Sequence, residues 1–149
     1  MLTKDYSDML NALNDANVEY LVVGAYALAV YGNPRATGDI DIWVRPTSEN
    51  AQRVWSALGL FRAPRANVKQ EDFCDPDVVY QIGVAPCRID ILTAIDGVLF
   101  EVAWKNRLEI HLDGIKITVI GPQELLVNKY ASGRPKDLAD AAWLEQRNG

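Results

Sequence analysis

The chain has 149 residues, 49% hydrophobic and 23% charged, enough to bury one core and too few to expect two ordinary domains. Its net charge of −5 and isoelectric point near 4.8 count against a broad basic surface that grips nucleic acid through its phosphates. Cys74, Cys87 and the single His111 fit neither a disulfide framework nor a histidine-rich zinc site.

A single domain over residues 1–149 is therefore expected. No apolar run reaches the roughly 18 residues of a membrane span, and "MLTKDYSDML" lacks a signal-peptide pattern, so a cytoplasmic protein is expected. A local basic patch is conceivable in "FRAPRANVK" (Arg62, Arg65, Lys69), beside the plainer reading of a solvated loop.

"TKDYSDMLNALNDAN" opens the chain with Thr3 as a helix cap. It sets Tyr6, Met9, Leu10 and Leu13 on one helical face and ends near Asn17. "VEYLVV" is a short apolar strand, followed by an Ala-rich helix, "GAYALAVYG", bounded by Gly24 and Gly32. The loop "NPRATG" leads to the strand "DIDIWV". "SENAQRVWSALG" is a helix with Ser48 as N-cap and Gly59 past its end. Residues 60–77 read as irregular. "VVYQIG" and "CRIDILT" are strands joined by a turn containing Gly83 and Pro86, and "LFEVAWKN" is a short helix. "LEIHL" and "IKITVI" flank Asp113-Gly114 as a hairpin. "GPQELLVNKYAS" starts a helix at Gly121-Pro122, and "KDLADAAWLEQ" is the last; these C-terminal helices span 122–146. The order implies an α+β (α/β) domain with a mixed sheet flanked by helices.

One stretch, "GDIDIWV", carries an anomaly. Ile40, Ile42 and Val44 alternate with Asp39, Asp41 and Trp43, so both acids share one strand face. Strands disfavour Asp, and two like charges roughly 7 Å apart repel by about 2 kcal/mol at an effective dielectric near 20. Same-face carboxylates can hold Mg²⁺, which takes oxygen ligands and shares its shell with phosphates; solvated acids on an edge strand are the alternative. Asp90, between Ile89 and Ile91, is a third acid in an apolar strand. If its strand pairs with Asp39–Val44, three carboxylates converge, and two divalent ions would relieve their repulsion. Upstream, the strand-Gly24-Ala25-helix turn can present unpaired amides to a phosphate, although such a turn also uses glycine for geometry alone. Trp43 shares the acidic face and is available to stack a base, against the commoner role of packing; Trp55, Trp104 and Trp143 are assigned to the core.

Taken together, "LVVGAYALAVYGNPRATGDIDIWV" resembles the signature of the polymerase-β-like nucleotidyltransferase superfamily: an apolar strand, a Gly-Gly or Gly-Ser turn, a spacer, an Asp-x-Asp pair and a later third acid. "GPQELLVNKYASGRPKDLADAAWL" resembles the helical end of small AbiEii-type bacterial members. The resemblance covers residues 19–45 and 87–146. It implies a nucleotidyltransferase-like fold and Mg²⁺-dependent transfer of NMP from an NTP to a hydroxyl, with release of pyrophosphate. Asp39, Asp41 and Asp90 would then be catalytic and hold two Mg²⁺ ions, with Asp90 helping to activate the acceptor. Gly24 and Ala25 would hold the triphosphate. Arg35, Thr37 and Lys129 would contact phosphates, an exposed helix lysine being the alternative for Lys129, and Lys136, Asp137 and Asp140 would be structural. Ala25 departs from the usual Gly or Ser, which keeps a nucleotide- or partner-binding module without catalysis as the rival. The acceptor is left open between a partner protein, as in toxin–antitoxin pairs, a tRNA and a small hydroxylated compound. A homodimer could complete the site.

Overall fold

The computed structural model describes residues 2–33, 38–84 and 87–148. Its elements in chain order are α1 (Lys4–Asp15), β1 (Tyr20–Val23), α2 (Gly24–Val30), β2 (Asp39–Val44), α3 (Ser48–Phe61), a 3₁₀ turn (Gln70–Cys74), β3 (Val79–Ile82), β4 (Arg88–Leu92), α4 (Phe100–Lys105), β5 (Leu108–Leu112), β6 (Ile115–Val119), α5 (Pro122–Ser132) and α6 (Pro135–Asn148). The strands form a six-stranded sheet in the order β3-β4-β2-β1-β6-β5. β2 runs parallel to β4 and β1 parallel to β6, while the other neighbours are antiparallel. The mixed sheet expected from the element order is thus present.

The acid-bearing strand owes its position to its other face. Ile40, Ile42 and Val44 are at most 1% exposed and join a core to which α1 contributes Tyr6, Met9, Leu10 and Leu13. Each such side chain stabilises the fold by about 1.5–3 kcal/mol on burial, so that together they far outweigh what the β2 acids cost. Thr3 caps α1 as expected, its Oγ1 accepting from Tyr6 N at 3.2 Å. The Tyr6 hydroxyl then donates to the carbonyls of Gly38 and Arg88, which ties α1 to the entrances of both β2 and β4. At the far end of β2, buried Asn50 accepts from Glu19 N at 2.8 Å and donates to the carbonyls of Glu19 and Arg45, both at 3.0 Å. One amide therefore joins the start of β1 to the end of β2.

Three expectations need correction. Thr47, not Ser48, caps α3, with its Oγ1 accepting from Asn50 N at 3.2 Å. Gly59 lies inside that helix, which runs on to Phe61 and stops at Arg62 with φ +65°. The ending holds because Ala63 N–H returns to Leu58 O at 2.9 Å, a Schellman-type closure that satisfies an end carbonyl. The supposedly irregular stretch 60–77 contains the 3₁₀ turn, whose Phe73 is wholly buried. Arg65 of the conceivable basic patch lies over Trp55 at 4.7 Å. Trp55, Trp104 and Trp143 are only partly buried against the core. No helix among the described residues is long and apolar enough to cross a membrane.

Candidate active site

Parallel pairing sets β2 and β4 in register so that Asp41 lies opposite Asp90 and Asp39 opposite Arg88. Neighbouring strands are about 4.8 Å apart, and the period of two puts all four side chains on one sheet face. The three acids read from the sequence are therefore brought together. Arg88, which that reading passed over, lies among them. Its Nη2 donates to Asp39 Oδ2 at 2.9 Å and to Asp90 Oδ2 at 3.2 Å, while its Nε donates to Asp90 Oδ1 at 2.9 Å. The signal for it was present: in "CRIDILT" Arg88 precedes Asp90 by two residues, so alternation alone puts the cation beside the acid.

Asp41 is the strained member. Burial, then the charges of Asp90 and Asp39, push its carboxyl from 3.8 up to about 6, against a pull in the other direction from Lys129. Its Oδ2 lies against the strand-to-helix turn, where a Cβ on Gly24 would sit 2.4 Å away. Gly24 also has φ +69°, a left-handed conformation that an L side chain resists. The glycine is required twice over, once by the backbone and once by the carboxylate. Ala25 follows it in α2 and is half-buried.

A cleft of about 360 Å³ opens beside this turn, lined by Gly24, Asp41, Leu92, Asn128, Lys129 and Arg134 among others. Lys129 is 6% exposed, which overturns its reading as an exposed helix lysine. Its Nζ lies 3.2 Å from Asp137 and 3.2 Å from Asp140, both buried on α6. Burial pushes the Asp137 carboxyl up, but hydrogen bonds from Ser132, Arg134 and Lys129 outweigh it and hold the group at about 2. Asp137 and Asp140 thus tie α6 to α5, as a structural role requires, whereas Lys136 is exposed. Arg35 and Thr37 lie outside the described residues. Trp43 is 2% exposed and meets Phe100 edge-on at 5.0 Å, so it packs and is not presented to a base.

The donor set is all oxygen, as a hard cation requires. Among the described residues no group of three or more His, Cys, Asp or Glu side chains is gathered closely enough to cage a metal ion. Mg²⁺ does not need such a cage, since it is usually bound through one or two carboxylates and completes its shell with water and substrate phosphates. The acids therefore fit one such ion, with Arg88 holding two of them.

Solved structures share this architecture. A Thermotoga maritima protein provisionally named a nucleotidyltransferase superposes with a TM-score of 0.54 at 17% identity, over 93% of this chain and 86% of the other. An antigenic nucleotidyltransferase-like protein from Paracoccidioides brasiliensis gives 0.55 at 16% identity, over 93% of this chain and 72% of the other. At such identities the likeness is one of fold, and the fold is that of nucleotidyltransferases. Over residues 1–144 the chain matches the family described as nucleotidyltransferase of unknown function (DUF6036), and it belongs to that family. No curated protein matches it.

Proposed function

We propose that this protein is a small Mg²⁺-dependent nucleotidyltransferase, akin to the AbiEii-type members, which moves an NMP from an NTP to a hydroxyl acceptor and releases pyrophosphate. The observation that carries the reading is the register of β2 with β4, which sets Asp41 against Asp90 on the face that also holds Asp39. Membership of a nucleotidyltransferase family supports it. Bound Mg²⁺ would supply charge neutralisation for the phosphates and lower the pKa of the attacking hydroxyl.

In this reading Asp39 and Asp41 hold the cation and Asp90 accepts the acceptor proton. The Gly24–Ala25 turn offers its backbone amides to the triphosphate, and the missing side chain at Gly24 leaves room for the Asp41 carboxylate. Lys129 acts from a distance: its ammonium, fixed by two buried aspartates, adds positive potential to the cleft wall. The acceptor is a partner protein, a tRNA or a small hydroxylated compound, and the net charge of −5 makes tRNA the least favoured.

Incubation with labelled NTPs, Mg²⁺ and a host lysate tests the reading and names the acceptor by the labelled product. Label transfer that Asp41→Asn abolishes is the expected result. A second reading, a nucleotide-binding module without turnover, is favoured by Ala25 in place of Gly or Ser. It predicts nucleotide binding by equilibrium dialysis with no label transfer to any acceptor.

A further inference from the structure

We propose that Arg88 takes the place of one of two divalent cations in this acid cluster, so that the protein binds a single divalent ion and gains a second when the guanidinium is removed. The inference rests on the metal-binding reading above and refines its stoichiometry. Its basis is geometric. Arg88 contacts three carboxylate oxygens belonging to two of the three acids, all between 2.9 and 3.2 Å. A planar guanidinium in that position does what a bridging ion does: it brings a positive charge between two carboxylates and fixes their separation.

The interaction is not a loose surface pair. Asp90 is 7% exposed and the Arg88 side chain 31%, so the pairing lies at the boundary of the interior, where charges are only partly screened. The third acid, Asp41, lies beside Asp90 and diagonally across the two strands from Arg88. Its Oδ2 faces the Gly24 turn and the cleft, and the hydrogen bonds of the guanidinium go to Asp39 and Asp90. A divalent ion entering from the cleft therefore meets Asp41 first. A second ion, to lie between Asp39 and Asp90, has to displace Arg88 from hydrogen bonds to both.

Counting Mn²⁺ bound per chain by electron paramagnetic resonance, on the parent, Arg88→Gln and Asp41→Asn, tests this without reference to activity. The expected counts are one for the parent and two for Arg88→Gln, with binding to Asp41→Asn weakened by roughly tenfold or more. An equal or lower count in Arg88→Gln than in the parent overturns the inference while leaving the metal reading intact. Absence of Mn²⁺ binding from all three proteins overturns the metal reading and the inference with it. Should Arg88→Gln fail to fold, Arg88→Lys serves in its place, because an ammonium keeps the charge but cannot fork across two carboxylates. It should bind a second Mn²⁺ more weakly than the first, and a count of one again overturns the inference.

Discussion

Replacing Asp41 with Asn separates the cost of the acid cluster from its use. In the folded chain this carboxyl is held at about 6, against 3.8 ordinarily, by burial and by the neighbouring Asp90 and Asp39. An acid whose folded pKa lies above its unfolded one penalises the folded state when ionised. The penalty is complete above about pH 6 and fades as pH falls towards 3.8. Its ceiling is about 3 kcal/mol, which relaxation and solvent reduce to about 1–3 kcal/mol. Near this length 1 kcal/mol corresponds to about 2–4 °C, so Asp41→Asn should raise the metal-free melting temperature by roughly 2–12 °C at about pH 7.5. A hydrogen bond with Asp90 also favours the protonated form of Asp41, and the neutral amide can donate in its place. The difference between the two proteins should halve near pH 5 and nearly vanish by about pH 4. In the parent, Mg²⁺ with an NTP should add stability that the variant does not gain, since a ligand stabilises only a state that binds it. Thermal melts across pH, each with and without ligand, make the measurement. A variant that melts lower than the parent at about pH 7.5, or a gap that widens as pH falls, would refute the electrostatic reasoning.

Gly24→Ala should destabilise by about 2–4 kcal/mol in urea unfolding, combining left-handed strain with a Cβ driven into Asp41. In an Asp41→Ala background the cost should fall to about 1 kcal/mol, the backbone share alone; an unchanged cost means the carboxylate was not the obstacle. Lys129→Met leaves Asp137 and Asp140 buried without their shared ammonium and should cost about 3–5 kcal/mol in the same assay. A loss under about 1 kcal/mol would show that the two aspartates do not depend on its ammonium. Asn50→Ala should cost about 2–3 kcal/mol, because three backbone groups lose their partner. A melting temperature within about 2 °C of the parent would show that water replaces the amide.

What the sequence revealed follows the reach of its periodicities. β2 was legible because alternation over six residues admits one reading, and the hairpin because Asp113 and Gly114, at φ +52° and +78°, are the residues a primed turn demands. The convergence of Asp90 with Asp41 was legible because apolar strands do not carry acids without a reason. The 3₁₀ turn was not: it is secured by Asp72 accepting from Lys69 N at 2.8 Å and by one buried Phe73, and neither makes a pattern. The burial of Lys129 and its pairing with Asp137 and Asp140 escaped for a different cause. Its partners lie on the next helix, eight residues on in the case of Asp137, and no pattern within α5 shows a lysine turned towards buried acids on α6. Arg88 could have been found, since the rule that paired Asp39 with Asp41 applies equally to Arg88 and Asp90.

The pairing of β2 with β4 also governs when the acids first meet. Asp39 and Arg88 are 49 residues apart in the chain, so this contact forms only after α3 and the segment beyond it have closed a long loop. Arg88 travels on the same strand as Asp90. The positive charge is delivered in the encounter that brings the second carboxylate, and β4 docks against β2 already carrying its own counterion. Arg88→Gln should therefore slow refolding in stopped-flow mixing and Asp41→Asn hasten it. A response confined to the unfolding limb would place the encounter after the barrier. With Arg88 in place, β4 docks with part of the cluster's negative charge already balanced from within the chain.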